Sequence, residues 1–76
     1  MDSQNAVTAL VREVERQKRQ WPPFNSLHEG YAVALEEMDE LWEAIKRQPR
    51  IRDNVKGEAI HAGAVILRFL IELCEP

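Results

Sequence analysis

Along the first twenty positions apolar residues recur at the spacing of one helical face. Val7, Leu10, Val11 and Val14 lie at i, i+3, i+4 and i+7, and Trp21 extends the stripe, while Arg12, Glu13, Arg16 and Arg19 fall elsewhere. This pattern predicts an amphipathic helix over residues 3 to 20. Pro22 and Pro23 cannot continue it. A second helix is expected from Ser26, where S-L-H-E forms a capping box: the Ser26 hydroxyl accepts from the Glu29 amide and the Glu29 side chain reaches back. It should run to about Gln48, with Pro49 ending it. Asp53 or Asn54 can cap a third helix, which continues through E-A-I-H-A-G-A-V-I-L-R-F-L-I-E-L-C with only Gly57 and Gly63 as weak breaks. No alternating, strand-like pattern competes.

In the third segment the apolar positions are not confined to one stripe. At about 100° per residue, Ala59, Ile60, Ala62, Ile66, Leu67, Phe69, Leu70, Ile71 and Leu73 cover well over half of the circumference. Such a helix needs neighbours on several sides, and two other helices cover only part of it. The expected architecture is therefore all-α: one domain over residues 1–76, a three-helix subunit whose bundle is completed by oligomerisation as a homodimer or homotetramer.

The second helix has an inward arc of Tyr31, Ala34, Leu35, Met38, Leu41, Trp42 and Ile45 by the same projection. Five carboxylates crowd it: Glu36, Glu37, Asp39, Glu40 and Glu43. Asp39, Glu43 and Glu36 fall outside the arc, as charges on a solvated face do. Glu37 lies between Gly30, Val33, Leu41 and Ala44, and Glu40 one helical step beside it. Both are read as lying off the solvated face. Carboxylates are seldom buried without a counter-charge or a metal. The third helix has one polar strip, Glu58, His61, Arg68 and Glu72. The two i, i+3 pairs, Glu37/Glu40 and Glu58/His61, can converge on one divalent cation if their helices face each other. Carboxylates suit Mg²⁺, and an imidazole moves the preference toward Mn²⁺ or Zn²⁺. The structural alternatives stand beside these. Glu58 suits the first turn of a helix, His61 can pair with Glu58, with Glu72 or with a helix of another subunit, Arg68 can neutralise Glu72 at i+4, and His28 and Glu29 fit a helix cap.

Charge and composition narrow the partners. Thirteen acidic and ten basic residues give a formal net charge of -3, with no block of Lys and Arg of the kind that binds polymeric nucleic acid. No apolar run reaches membrane-spanning length and no leader pattern opens the chain, so a cytoplasmic protein with no membrane partner is expected. The single cysteine, Cys74, excludes an internal disulfide and is expected to be an inert core or interface residue.

The carboxylate pattern resembles that of the MazG-like all-α nucleotide pyrophosphohydrolases, E-E-x-x-E followed after a spacer by E-x-x-D. Glu36, Glu37 and Glu40 in E-E-M-D-E match the first half. E-A-I-H supplies Glu58, with His61 where the family has an aspartate. The stretch H-E-G-Y-A-V-A-L-E-E-M-D-E-L-W-E-A-I looks like a short-chain subgroup, and the resemblance covers roughly Phe24 to Leu73. It implies a helical dimer or tetramer that binds Mg²⁺ and splits a nucleoside triphosphate, ribo or deoxy, into monophosphate and pyrophosphate. By position Glu37, Glu40 and Glu58 would be metal ligands, and His61 would be a neutral one where the family has an anion. Glu36 would orient a water or sit on the surface. In the family the base pocket lies near the first helix and the segment after it, which makes Trp21, Asn25 and His28 candidates for substrate binding; Trp21 can equally be a core anchor, and Arg68 can bind a phosphate. The competing reading is a noncatalytic helical dimerisation or interaction module with a degenerate metal site.

Overall fold

The computed structural model describes residues 1–75, and its regular elements are α1 Ser3–Gln20, α2 Leu27–Lys46 and α3 Arg52–Leu73, with no strand among the described residues. Local chemistry accounts for two of the three helix starts. The Asp2 carboxylate accepts from the Asn5 amide at 2.7 Å and caps α1. Ser26 Oγ accepts from the Glu29 amide at 3.0 Å. The Glu29 carboxylate reaches back to the Asn25 amide (2.8 Å) and side chain (3.2 Å), so the box closes one residue before the cap.

Helix α3 starts differently from the expectation. Its cap is Ile51, with no side-chain hydrogen bond; the Ile51 carbonyl takes the amides of Asn54 and Val55, and Asp53 lies inside the first turn. There its charge favours the positive end of the helix dipole without capping it. Helix α2 stops at Lys46, two residues short of Gln48.

Helix α3 sits in the middle. Both α1 and α2 pack on it, and no Cα of α1 comes within 8 Å of one of α2. The buried apolar core is thin: Val14, Ala34, Ala62, Ala64 and Val65. Small residues set the spacing between the helices. A Cβ added at Gly30 would lie 2.7 Å from Phe69 Cδ2 and 2.8 Å from Leu73 Cδ1, and one at Gly63 would lie 2.7 Å from Leu10 Cδ2.

That close approach corrects the expected inward arc of α2. Gly30 and Ala34 are buried against α3, with Val33, Glu37, Leu41, Ala44 and Ile45 half-buried around them. Tyr31, Leu35, Met38 and Trp42 are instead exposed at 65, 48, 50 and 55 %. A helix apolar over most of its circumference leaves the choice of facing arc to packing, and the arc of small side chains permits the nearer backbone approach. Helix α1 is rotated in the same sense, with Val14 and Gln17 buried but Val7, Val11 and Trp21 exposed. Trp21 is therefore not a core anchor, and Cys74 is exposed rather than part of a core. No helix among the described residues is long and apolar enough to cross a membrane.

Candidate functional site

Because α1 and α2 diverge over α3, a cleft of about 600 Å³ opens between them. Its floor is His61, Val65 and Arg68 of α3, one wall carries Arg16, Gln17 and Trp21, and the other carries Val33, Glu36 and Glu37. Pro22, Phe24 and Asn25, from the connection between α1 and α2, close one end.

That end is built on Arg68, whose residue surface is 3 % exposed. Its Nε donates to Glu72 Oε2 (2.9 Å), Nη1 to Gln17 Oε1 (3.3 Å) and Nη2 to the Pro22 carbonyl (3.3 Å). The Phe24 ring stacks on the guanidinium at 4.3 Å, and the Phe24 amide donates to Glu72 Oε1 at 2.9 Å. Burial pushes the Glu72 carboxyl up, but the bonds from Arg68 and the Phe24 amide outweigh it and leave it below its ordinary value. Three segments of the chain meet here on one cation. Arg68 lines the cleft, but its donors are turned to the protein rather than toward a phosphate.

The other end is acidic. Glu37, Glu58 and His61 each bring one ligand atom within 4.8 Å of the other two, all from half-buried side chains. Glu37 Oε2 and Glu58 Oε2 are shielded from water and accept no hydrogen bond. His61 Nδ1 lies 3.6 Å from Glu58 Oε2 and its Nε2 lies 4.0 Å from Glu13 Oε2, both beyond hydrogen-bonding distance. Burial, then the neighbouring Glu40 and Glu58 carboxylates, pushes the Glu37 carboxyl up to about 7, with His61 opposing. Two buried carboxylate oxygens with no donor form an electrostatically unsatisfied site, and a hard cation is a fitting counterpart.

The remaining expected residues fall into two groups. Trp21 and Asn25 line the cleft, although the Asn25 side chain is bonded to Glu29. His28 is exposed at the start of α2 and lines no part of the cleft. Glu40 is exposed and outside the converging set, a correction to its expected shielding: it projects about 100° around α2 from the buried Gly30 and Ala34. One neighbour of His61 went unread. Glu13 is held by Arg16 (Nε to Oε1 2.8 Å, Nη2 to Oε2 2.6 Å) and by Gln17 Nε2 (2.9 Å), and the hydrogen bond from Arg16 keeps its carboxyl below the ordinary range. The available signal was Gln17, a polar residue one turn beyond Leu10 and Val14 on the apolar face.

No family model, curated protein or solved structure matches the chain.

Proposed function

We propose that the chain is a MazG-like, metal-dependent nucleotide pyrophosphohydrolase that converts an NTP or dNTP to its monophosphate and pyrophosphate, acting as a homodimer or homotetramer in the cytoplasm. The observation that carries this reading is the pair of shielded, partnerless oxygens of Glu37 and Glu58, within 4.8 Å of His61, where Glu37 and His61 line one end of a cleft of about 600 Å³ and Glu58 lies beside it. Glu37, Glu58 and His61 would hold Mg²⁺, with Mn²⁺ also suited to the imidazole. Glu40, exposed one turn along α2, is the fourth group of the proposed set.

A cation held there would supply charge neutralisation for a triphosphate and for the charge that develops as water attacks the α-phosphorus and pyrophosphate leaves. The chain's own residues supply the rest of the fit. Trp21 and Phe24 offer ring faces and Asn25 a polar edge for a base, while Arg16 contributes positive charge to the wall facing Glu37. The test is pyrophosphate release from each NTP and dNTP with Mg²⁺ or Mn²⁺; no release from any of them under either metal sinks the reading.

A noncatalytic helical interaction module is the second reading, and the broad apolar surface left on α2 favours it. Titration calorimetry separates the two. A module whose acidic cluster serves only solubility binds neither Mg²⁺ nor nucleotide at micromolar concentration, and one that holds a structural ion binds metal but no nucleotide.

A further inference from the structure

Six of the exposed large apolar residues gather on one side of the α2–α3 hairpin. On α2 Tyr31, Leu35, Met38 and Trp42 fall within about 60° of arc, and all are about half exposed or more. Projected on the same helix, they lie on the opposite side of the α3 contact from the cleft residues Val33 and Glu36. Helix α3 repeats the division: Ile66 and Leu70 are about half exposed and project away from His61, Val65 and Arg68 of the cleft floor. The hairpin thus carries a continuous apolar back.

Surface area says that the chain as a whole leaves more exposed than a compact monomer does. A compact monomer of 8.8 kDa exposes on the order of 4,800 Å², whereas this chain exposes 5698 Å². The surplus of about 900 Å² is close to the roughly 800 Å² that each partner buries in an interface of standard size. The stripe is also suited to pairing with itself. Leu35 lies near its middle, with one aromatic ring toward each end, Tyr31 and Trp42, so an antiparallel copy sets the Tyr31 end of one stripe on the Trp42 end of the other.

We infer that two copies of this chain pair back to back through the α2–α3 stripe, an isologous dimer whose two clefts face outward and are each complete within one protomer. This takes the self-association in the proposed function and assigns it a surface; it does not depend on metal binding or catalysis.

The test reads mass and burial together. Trp21→Phe leaves Trp42 as the sole tryptophan of two. This variant sediments at micromolar concentration as a species of twice 8.8 kDa, and its emission shifts to the blue as concentration rises through the association range. Leu35→Glu weakens association at least about a hundredfold with helical circular dichroism retained. Glu36→Lys, on the cleft side, leaves association unchanged. A monomer, an oligomer whose Trp42 emission stays that of a solvated indole, or association unaffected by Leu35→Glu overturns the proposal. Should Leu35→Glu fail to fold, the Trp42 emission alone decides. Because no arm measures nucleotide turnover, an inactive dimer and an active monomer give different results.

Discussion

The cleft side and the back of the α2–α3 hairpin are formed by the same two helices and solve opposite problems. On the cleft side, polar groups are drawn into low-dielectric surroundings. Arg68 is buried against Glu72, Gln17 and the Pro22 carbonyl, and the oxygens of Glu37 and Glu58 are shielded with no donor. On the back, large apolar groups such as Tyr31 and Trp42 are left in water. The first arrangement is costly unless every charge has a counterpart; the second is costly unless a surface covers it. One end of the cleft is satisfied within the chain. Its acidic end and the back are not, and those are the places where the chain's chemistry points outside itself.

The largest effect should come from the satisfied end. Arg68→Met leaves the Glu72 carboxylate shielded without its cation and releases the connection between α1 and α2, with an expected loss of about 3–5 kcal/mol in urea unfolding. That is a large share of the stability of a domain this size. A loss under about 1 kcal/mol would show that the cleft side does not rest on this network.

At the acidic end a substitution should stabilise. Glu37 ionises near 7 in the folded chain against an ordinary 4.5. The folded state therefore holds more protons between those values, and stability falls as pH rises from about 4.5 to about 7. Above that window Glu37→Gln removes the penalty, an expected gain of roughly 1–2 kcal/mol once solvent screening of a half-buried group is allowed for. Melts at pH 8 in chelator measure it. Millimolar Mg²⁺ should raise the wild-type Tm and leave that of Glu37→Gln unmoved. A wild-type Tm indifferent to Mg²⁺ and Mn²⁺ breaks the metal reading.

At the seam between the two sides, Gly30→Ala sets a gain in helix propensity of up to about 1 kcal/mol against overpacking of about 1–3 kcal/mol. Contacts of 2.7 and 2.8 Å to Phe69 and Leu73 make overpacking the larger effect, and a net loss of about 1 kcal/mol is expected in chemical unfolding. The smallest effect belongs to the back. In protein diluted below the association range, Tyr31→Ser should change stability by under about 0.5 kcal/mol, because the residue is largely exposed in one chain. A larger loss there would mean that the back supports the fold of the single protomer.

The helices were legible because their signals are local. Pro22, Pro23 and Pro49 bound the segments, and the Ser26 box uses residues three apart. The facing arc of α2 was not legible, since Gly30 and Ala34 prevail over Tyr31 and Leu35 only once Phe69 and Leu73, some forty positions away, come to lie against them. The site divides in the same way. The spacing of Glu58 and His61 on one helix was readable, and Glu37 was placed at the edge of the α3 contact. The exposure of Glu40 was not readable, and Glu13 was missed because its approach to His61 depends on how α1 crosses α3.

The separation of α1 from α2 also bears on how the chain opens. With α3 as their common neighbour, α1 can lift away without exposing the α2–α3 seam. Amide hydrogens along most of α1 should therefore exchange with solvent through a partial opening that spares the hairpin. The turn from Val14 to Gln17 is the exception, since Gln17 is held by Arg68 and must wait for that bond to break. Slowly exchanging amides should thus cluster in α3, in the inner turns of α2 and in that one turn of α1.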